Sequence, residues 1–192
     1  MAEGPFTMLQ VIFKPHGLNT LLGLKASELT NSSLQLNQLV GLDLYSRLLE
    51  VNEAEKSIRL LAGFLTAQQK RVKFRDKLVE ESLNLIRRNI ATVSVRSLLQ
   101  ELGLSERQFE KRFTHSVGLT PQFYIRIKRF NEAVRLLKTG RSESLTSVAQ
   151  SLNFYDQSHF IRDIREFAGV TPKRIAAKLD DFHHPQAGYS YL

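Results

Sequence analysis

The side chains best suited to proton transfer or metal binding are five histidines, His16, His115, His159, His183 and His184. Their spacing serves neither purpose. No pair forms an H-E-x-x-H arrangement, and no acidic partner stands at ligand spacing. His183 and His184 lie in the polar tail DDFHHPQAGYSYL, where solvated side chains are expected. There is no glycine-rich phosphate loop and no G-x-S-x-G elbow. The absence of cysteine removes disulfides, iron–sulfur clusters, thiolate zinc sites and cysteine nucleophiles together. Neither an enzyme nor a metal or other cofactor is expected. The remaining chemistry is charge: 27 Lys and Arg against 19 Asp and Glu give +8 and an isoelectric point near 9.9, a balance that favours polyanionic partners.

The 192 residues suffice for one or two small domains, and 42% hydrophobic with 24% charged residues is a globular composition. No apolar run approaches the roughly 18 residues of a membrane span, so no membrane partner is expected. The start, MAEGPFTMLQVIFKP, lacks the pattern of a secretion signal, and the expected location is cytoplasmic. Residues 1–74 hold 8 basic and 6 acidic side chains, and residues 75–192 hold 19 and 13. The surplus thus sits mostly in the second part, spread over helical stretches rather than in a tail.

These side chains must be positioned by helices. Residues 6–14, FTMLQVIFK, form one candidate strand, and a turn-rich stretch with Gly17 and Gly23 follows. A helical pattern runs from about Leu34 to Leu49. Asn52 with Glu55 reads as a capping box for a helix over 53–69, with Ile58, Leu61 and Leu65 on one face. QQKRVKFR at 68–75 is a linker or a solvated connection. A helix at 75–91 with Leu78, Leu83, Leu85 and Ile86 comes next, then a short one at 95–102 broken by Gly103. Ser105 with Gln108 makes another capping box, for a helix to Val117 that Gly118 closes. Thr120 as N-cap and Pro121 at the first helical position open a long helix, 121–138. Phe123, Ile127, Phe130, Val134 and Leu137 form its expected buried stripe, and Arg126, Lys128, Arg129, Arg135 and Lys138 lie on its other faces.

The pattern then repeats. SLLQELGL at 97–104 matches SVAQSLNF at 147–154, and after the extra Tyr155 GLTP at 118–121 matches GVTP at 169–172. Seven identities fall in register: Ser97/Ser147, Gln100/Gln150, Leu102/Leu152, Phe109/Phe160, Gly118/Gly169, Thr120/Thr171 and Pro121/Pro172. Each copy is helix, tight turn, helix, with Gly103 or Asn153 at the turn and Ser105 or Asp156 as the second N-cap. Asparagine is the best non-glycine residue at a left-handed position. One copy alone is either an ordinary helical hairpin or a helix-turn-helix whose second helix enters the DNA major groove. Two copies joined by a helix of about 27 Å favour the second reading, because successive major-groove faces lie near 34 Å apart.

Residues 75–179 resemble the DNA-binding domain of the AraC/XylS family of bacterial transcription regulators. FYDQSHFIRDIREFAGVTP at 154–172 lies close to the family signature, and LLQELGLSERQFEKRFTHSVGLTP at 98–121 is equally typical; coverage is about 105 of 192 residues. The resemblance implies a mainly α, homeodomain-like bundle with two helix-turn-helix units, both inserted into adjacent major-groove segments of double-stranded DNA. Carried over by position, the first reading helix presents Arg107, Glu110 and Lys111, with Phe109 and Phe113 inward. The second presents Gln157, Ser158 and Arg162, with Phe160 and Ile164 inward. Arg suits guanine O6/N7, Gln suits adenine, and Glu can accept from cytosine N4. His159 is a further candidate for DNA contact, its alternative being a structural role beside Phe160. Phosphate contacts are expected at the helix starts Ser105 and Thr120 and from Arg129, while Asp156 at a third start would itself repel phosphate. Three residues depart from the family pattern: Asn153 for glycine, Ile164 for phenylalanine, and the acid Asp163 in the second reading helix, which weakens affinity or faces solvent.

Residues 1–74 resemble, through FKPHGLNTLLGLKASEL at 13–29 and LNQLVG at 36–41, the segment preceding that domain in one branch of the family. They are expected to be a small, mostly helical segment, either of a short regulator or the end of a truncated sensor domain, with 180–192 as a tail. The expected partners are RNA polymerase and either a small-molecule effector or a second copy bound through this segment, with Leu44, Leu48 and Leu49 motivating the dimer. The rival reading is a helical protein-interaction module that has lost sequence-specific DNA binding.

Overall fold

The computed structural model describes residues 8–72, 75–138, 144–154 and 156–177. Tyr155 and the tail with His183 and His184 lie outside the described residues. The described elements are twelve helices: α1 Gly17–Leu22, α2 Ala26–Leu29, α3 Leu36–Val40, α4 Leu42–Glu50, α5 Ala54–Arg71, α6 Lys77–Arg88, α7 Val95–Leu102, α8 Glu106–Val117, α9 Pro121–Lys138, α10 Leu145–Ser151, α11 Gln157–Ala168 and α12 Pro172–Ala177. The chain divides into two compact units, one of residues 1–80 with 111–119 and one of 81–110 with 120–192.

The mainly α class holds, but no strand occurs among the described residues. Residues 8–14 are irregular, with Met8, Leu9, Val11 and Ile12 exposed. A strand exists only as part of a ladder, and this segment has no described strand to pair with. In the first unit α1 packs on α5, which also contacts α4, and α3 packs on α4. α5 begins at Ala54 after Glu53, and no side chain caps it, so the Asn52–Glu55 box does not form. Ile58 is exposed, while Leu61 and Leu65 are half-buried. Of the three leucines proposed for self-association, Leu44 is buried, Leu48 half-buried and Leu49 exposed.

The first unit also holds the end of α8. Gly118 closes that helix at φ +87°, and its carbonyl accepts a 2.8 Å hydrogen bond from the Thr30 hydroxyl. A Cβ there would stand 2.9 Å from the Ala26 carbonyl oxygen and 3.0 Å from Thr30 Oγ1. Gly169 occupies the matching place in the second copy at φ +67° with open space around it. Gly118→Ala is therefore expected to cost about 1–3 kcal/mol, and Gly169→Ala only the backbone strain, about 1–2 kcal/mol. Urea unfolding of both variants measures the difference.

The two copies of the repeat share their local hydrogen bonds as well as their residues. Ser94 and Ser144 cap α7 and α10, accepting from the N–H groups of Ser97 and Ser147 at 3.0 and 3.1 Å. Gly103 and Asn153 sit at φ +63° and +55°. Past them, Leu104 N–H donates to Leu99 O at 3.4 Å and Phe154 N–H to Ala149 O at 3.0 Å, the bond of a Schellman-type helix end. The second helices close alike: Gly118 donates to Thr114 O and Gly169 to Arg165 O, both at 2.9 Å.

One core cluster of the second unit is Ala133, Val148, Ala149, Leu152, Phe160, Ile164 and Ile175. α9 forms one wall, packed by α10, α11 and α12. Its expected stripe is only half right. Phe130, Val134 and Leu137 are partly buried against the core and Ile127 is half-buried, but Phe123 is exposed, and the buried positions of α9 include Pro121, Tyr124, Ile125 and Ala133. A helix contacted from several sides buries more than one row of side chains, and a single 3–4 spacing describes only one of them.

Candidate nucleic-acid interface

α8 opens on the expected capping box. Ser105 Oγ accepts from Gln108 N–H at 3.4 Å, and Gln108 Oε1 accepts from Ser105 Oγ at 2.9 Å. Phe109 and Phe113, with 1% and 0% exposure, turn inward with Ser116. That fixes the opposite face: Arg107, Glu110 and Lys111 are all exposed, with Arg107 three and four residues from the other two and so a neighbour of each.

α11 repeats the arrangement. Asp156 Oδ1 caps it, accepting from His159 N–H at 2.6 Å, and Phe160 and Ile164 are fully buried. Gln157, Ser158, His159 and Arg162 are exposed. The His159 ring also stands 5.7 Å from that of Phe154, so its body packs while its polar edge stays in water. Thr120 is exposed and caps α9 through Phe123 N–H at 3.3 Å. Arg129 is committed differently. Its Nε and Nη2 donate to Ile90 O at 3.1 Å and Val93 O at 2.6 Å, and burial lowers its pKa from the ordinary value. Any phosphate contact from Arg129 must therefore come through the N–H groups of Nη1 or the second N–H of Nη2.

Asp163 neither faces solvent nor joins the exposed row of α11. Its side chain is 6% exposed and Oδ1 lies 2.9 Å from Arg126 Nη2, with Oδ2 at 3.4 Å from Nε. The same Nη2 meets Glu166 at 2.7 Å. The guanidinium carbon stands 5.2 Å from the Phe167 ring centroid and 6.0 Å from that of Phe123, in cation–π range. The hydrogen bonds to Asp163 and then Glu166 raise the Arg126 pKa above its ordinary value. In the first unit Arg112 Nε and Nη2 grip Asp76 Oδ2 and Oδ1 at 2.9 and 2.8 Å. Burial pushes the Asp76 carboxyl up, but the bonds from Arg112 and Val79 N–H hold it below its ordinary value. Sequence reasoning missed both pairs, although the repeat carries a sign of them: 76 and 126 are fifty residues apart, 112 and 163 fifty-one, and the charges exchange at both ends.

Asp156 joins the cap to electrostatics. Asp156→Ser keeps a capping oxygen and removes a negative charge from the start of α11. It is expected to leave the melting temperature nearly unchanged and to tighten duplex DNA binding about threefold to tenfold at low salt. Asp156→Ala should instead cost about 1 kcal/mol of stability. Thermal melts with DNA titrations at two salt concentrations separate these effects.

Comparison with known proteins agrees with this geometry. A family profile described as a helix-turn-helix domain matches residues 98–178. LumQ of Photobacterium leiognathi, named as a transcriptional regulator, is 34% identical over 82 residues, 43% of this chain and 33% of that protein. The HTH-type transcriptional activator RhaS of Pectobacterium carotovorum is 30% identical over 79 residues, 41% of this chain and 28% of the relative. The HTH-type regulator YidL of Escherichia coli is 30% identical over 92 residues, 48% and 30% of the two chains. This chain thus spans a third or less of the length of these relatives, which carry regulators' names and no enzyme's. No described helix is long and apolar enough to cross a membrane. Over residues 98–178 this chain is thus similar to a helix-turn-helix domain.

Proposed function

We propose that this chain is a sequence-specific, double-stranded DNA-binding transcription regulator that places α8 and α11 in adjacent major-groove segments. The observation that carries the reading is the repeated pair of turns and caps, each followed by a helix with buried aromatic and aliphatic residues on one side and exposed Arg107, Glu110 and Lys111, or Gln157, Ser158 and Arg162, on the other. Base edges are read by the side chains that stand free of the core, and His159 joins them at the start of α11. Ser105, Thr120 and the remaining N–H of Arg129 serve the phosphates. Residues 75–179 form the DNA-binding part, and 1–74 a segment for control.

RNA polymerase as a partner and a cytoplasmic site of action belong to this reading of a transcription regulator. If a small-molecule effector binds this segment, a half-open cleft of about 470 Å³ in the first unit, lined by Asn19, Gln68, Arg71, Asp76 and His115 among others, is the site to test. Self-association through residues 1–74 would use the exposed Leu42, Leu49 and Ile58, and light scattering at high concentration tests it. A protein-interaction module is the weaker reading, because such a surface has no use for two separate polar rows of base-reading type.

The test is selection of a random duplex library at about physiological salt, followed by sequencing. Two enriched boxes with centres roughly 10 bp apart are expected, with affinity falling steeply as salt rises. One box would restrict base reading to a single unit. Salt-sensitive binding without enrichment would overturn sequence-specific recognition.

A further inference from the structure

The apolar contacts of α11 hold it against the core but do not by themselves fix its rotation. Phe160 and Ile164 are buried in the core cluster, and hydrophobic burial is non-directional. Directionality comes from Arg126 on α9, whose planar guanidinium meets two carboxylates of α11, Asp163 at 2.9 Å and Glu166 at 2.7 Å, while Phe167 lies under its face. Asp163 follows Arg162 directly, so a rotation that loosened this grip would swing Arg162 with it.

The same device stands at the same place in the other copy. α6 precedes α7 by the same interval at which α9 precedes α10, since α6 and α9 end at 88 and 138 and the following helices start at 95 and 145. In that register Asp76 corresponds to Arg126 and Arg112 to Asp163. Both pairs are bidentate. Each ties a reading helix to the helix preceding its own helix-turn-helix, through Asp76 just before α6 and Arg126 in the second turn of α9, with the signs reversed. A shared position with inverted charge points to the pair itself, not to either residue type, as the feature both copies need.

We propose that Arg126–Asp163 and Asp76–Arg112 are two separate positioning clamps, each setting the orientation of one reading helix and thus the base discrimination of one half-site. This rests on the reading that α8 and α11 contact bases. Binding sites must be held to about 0.5 Å and 10–20° to work, and a bidentate guanidinium–carboxylate pair supplies such geometric restraint. Each clamp also neutralises a carboxylate on or near a helix that must approach phosphates.

The experiment measures affinity of the full chain for four duplexes: both selected boxes intact, either one scrambled, and both scrambled. Arg126→Gln is expected to lower discrimination at the α11 box by about tenfold, leaving the α8 box and binding to the doubly scrambled duplex within about twofold. Asp76→Asn should do the reverse. The double exchange Arg126→Asp with Asp163→Arg, which gives the second copy the polarity of the first, should return most of the lost discrimination. Should the exchange fail to melt cooperatively, Arg126→Lys replaces it: charge without the fork should leave discrimination between wild type and Arg126→Gln. Unchanged discrimination in Arg126→Gln, or an equal fall at both boxes, overturns the proposal. Amide hydrogen exchange of the free protein gives a second readout, expected to be faster across α11 in Arg126→Gln and across α8 in Asp76→Asn. If the wild type discriminates at neither box, base reading itself fails, and unchanged exchange in α11 and α8 would dispose of the clamps separately.

Discussion

Alanine at Arg107, Lys111, Gln157 and Arg162 together should reduce binding to the selected operator to the level of random duplex, a loss of about a thousandfold or more. All four side chains are exposed on the helix faces opposite the buried phenylalanines, so their removal creates no cavity and the melting temperature should stay within a few degrees. Each good base contact contributes about 1–3 kcal/mol of discrimination, and four of them approach the whole difference between specific and non-specific binding. The variants should also divide by role. Gln157→Ala loses preference at one position of one box with little change in salt dependence. Replacing a lysine or arginine that touches phosphate weakens binding to every sequence and lowers the salt slope by about one. Titrations of the quadruple variant against operator and scrambled duplex at three salt concentrations decide the matter. If operator binding survives with its preference intact, bases are read by a different surface, and the outward rows of α8 and α11 have been misassigned.

What could be read in the sequence was the punctuation. Gly103, Asn153, Gly118 and Gly169 all adopt the left-handed region, because chain reversal after a helix demands it and few residues tolerate it. Ser105 and Thr120 cap as their spacing implies. These rules act within four residues, which is why a linear reading reaches them. The outward rows of α8 and α11 came from the family resemblance, position by position, and those residues lie on faces opposite the buried aromatic and aliphatic side chains. The misreadings each involve something outside that window. The strand over 6–14 needed a neighbouring strand that apolar content cannot promise. The stripe on α9 assumed one packing partner, whereas α10, α11 and α12 all meet that helix. Asn52 and Glu55 have box spacing, but α5 starts after Glu53, one residue too late for Asn52 to be its cap. Asp163 looked anomalous on a reading helix because its partner, Arg126, lies 37 residues away. Only the comparison of the two copies, with charges exchanged at matching positions, joins those two residues in the sequence.

Phe160→Ala should cost about 3–5 kcal/mol of stability, among the largest losses of any single truncation in the second unit. The ring is fully buried among Ala133, Val148, Ala149, Leu152, Ile164 and Ile175 and meets Phe154 edge-on at 5.1 Å between centroids, an arrangement that adds to area burial. Small domains are stable by only about 5–15 kcal/mol, so a loss of this size should lower the melting temperature by about 15–25 °C. Phe123→Ala is the control. That ring is 36% exposed and contacts Phe167 at 5.7 Å, so its removal should cost about 1–2 kcal/mol. The contrast also tests the packing of α9, since the 3–4 stripe would make Phe123 a core residue, whereas the structure puts Tyr124, Ile125 and Ala133 inside. Phe109, at the equivalent place in the first copy and 1% exposed, should behave as Phe160 does. Equal costs for Phe160 and Phe109, with a small cost for Phe123, would mean that each helix-turn-helix is built around the same buried ring. A cost at Phe123 matching that at Phe160 would place the core on the wrong side of α9, and the outward faces inferred from it would have to be redrawn.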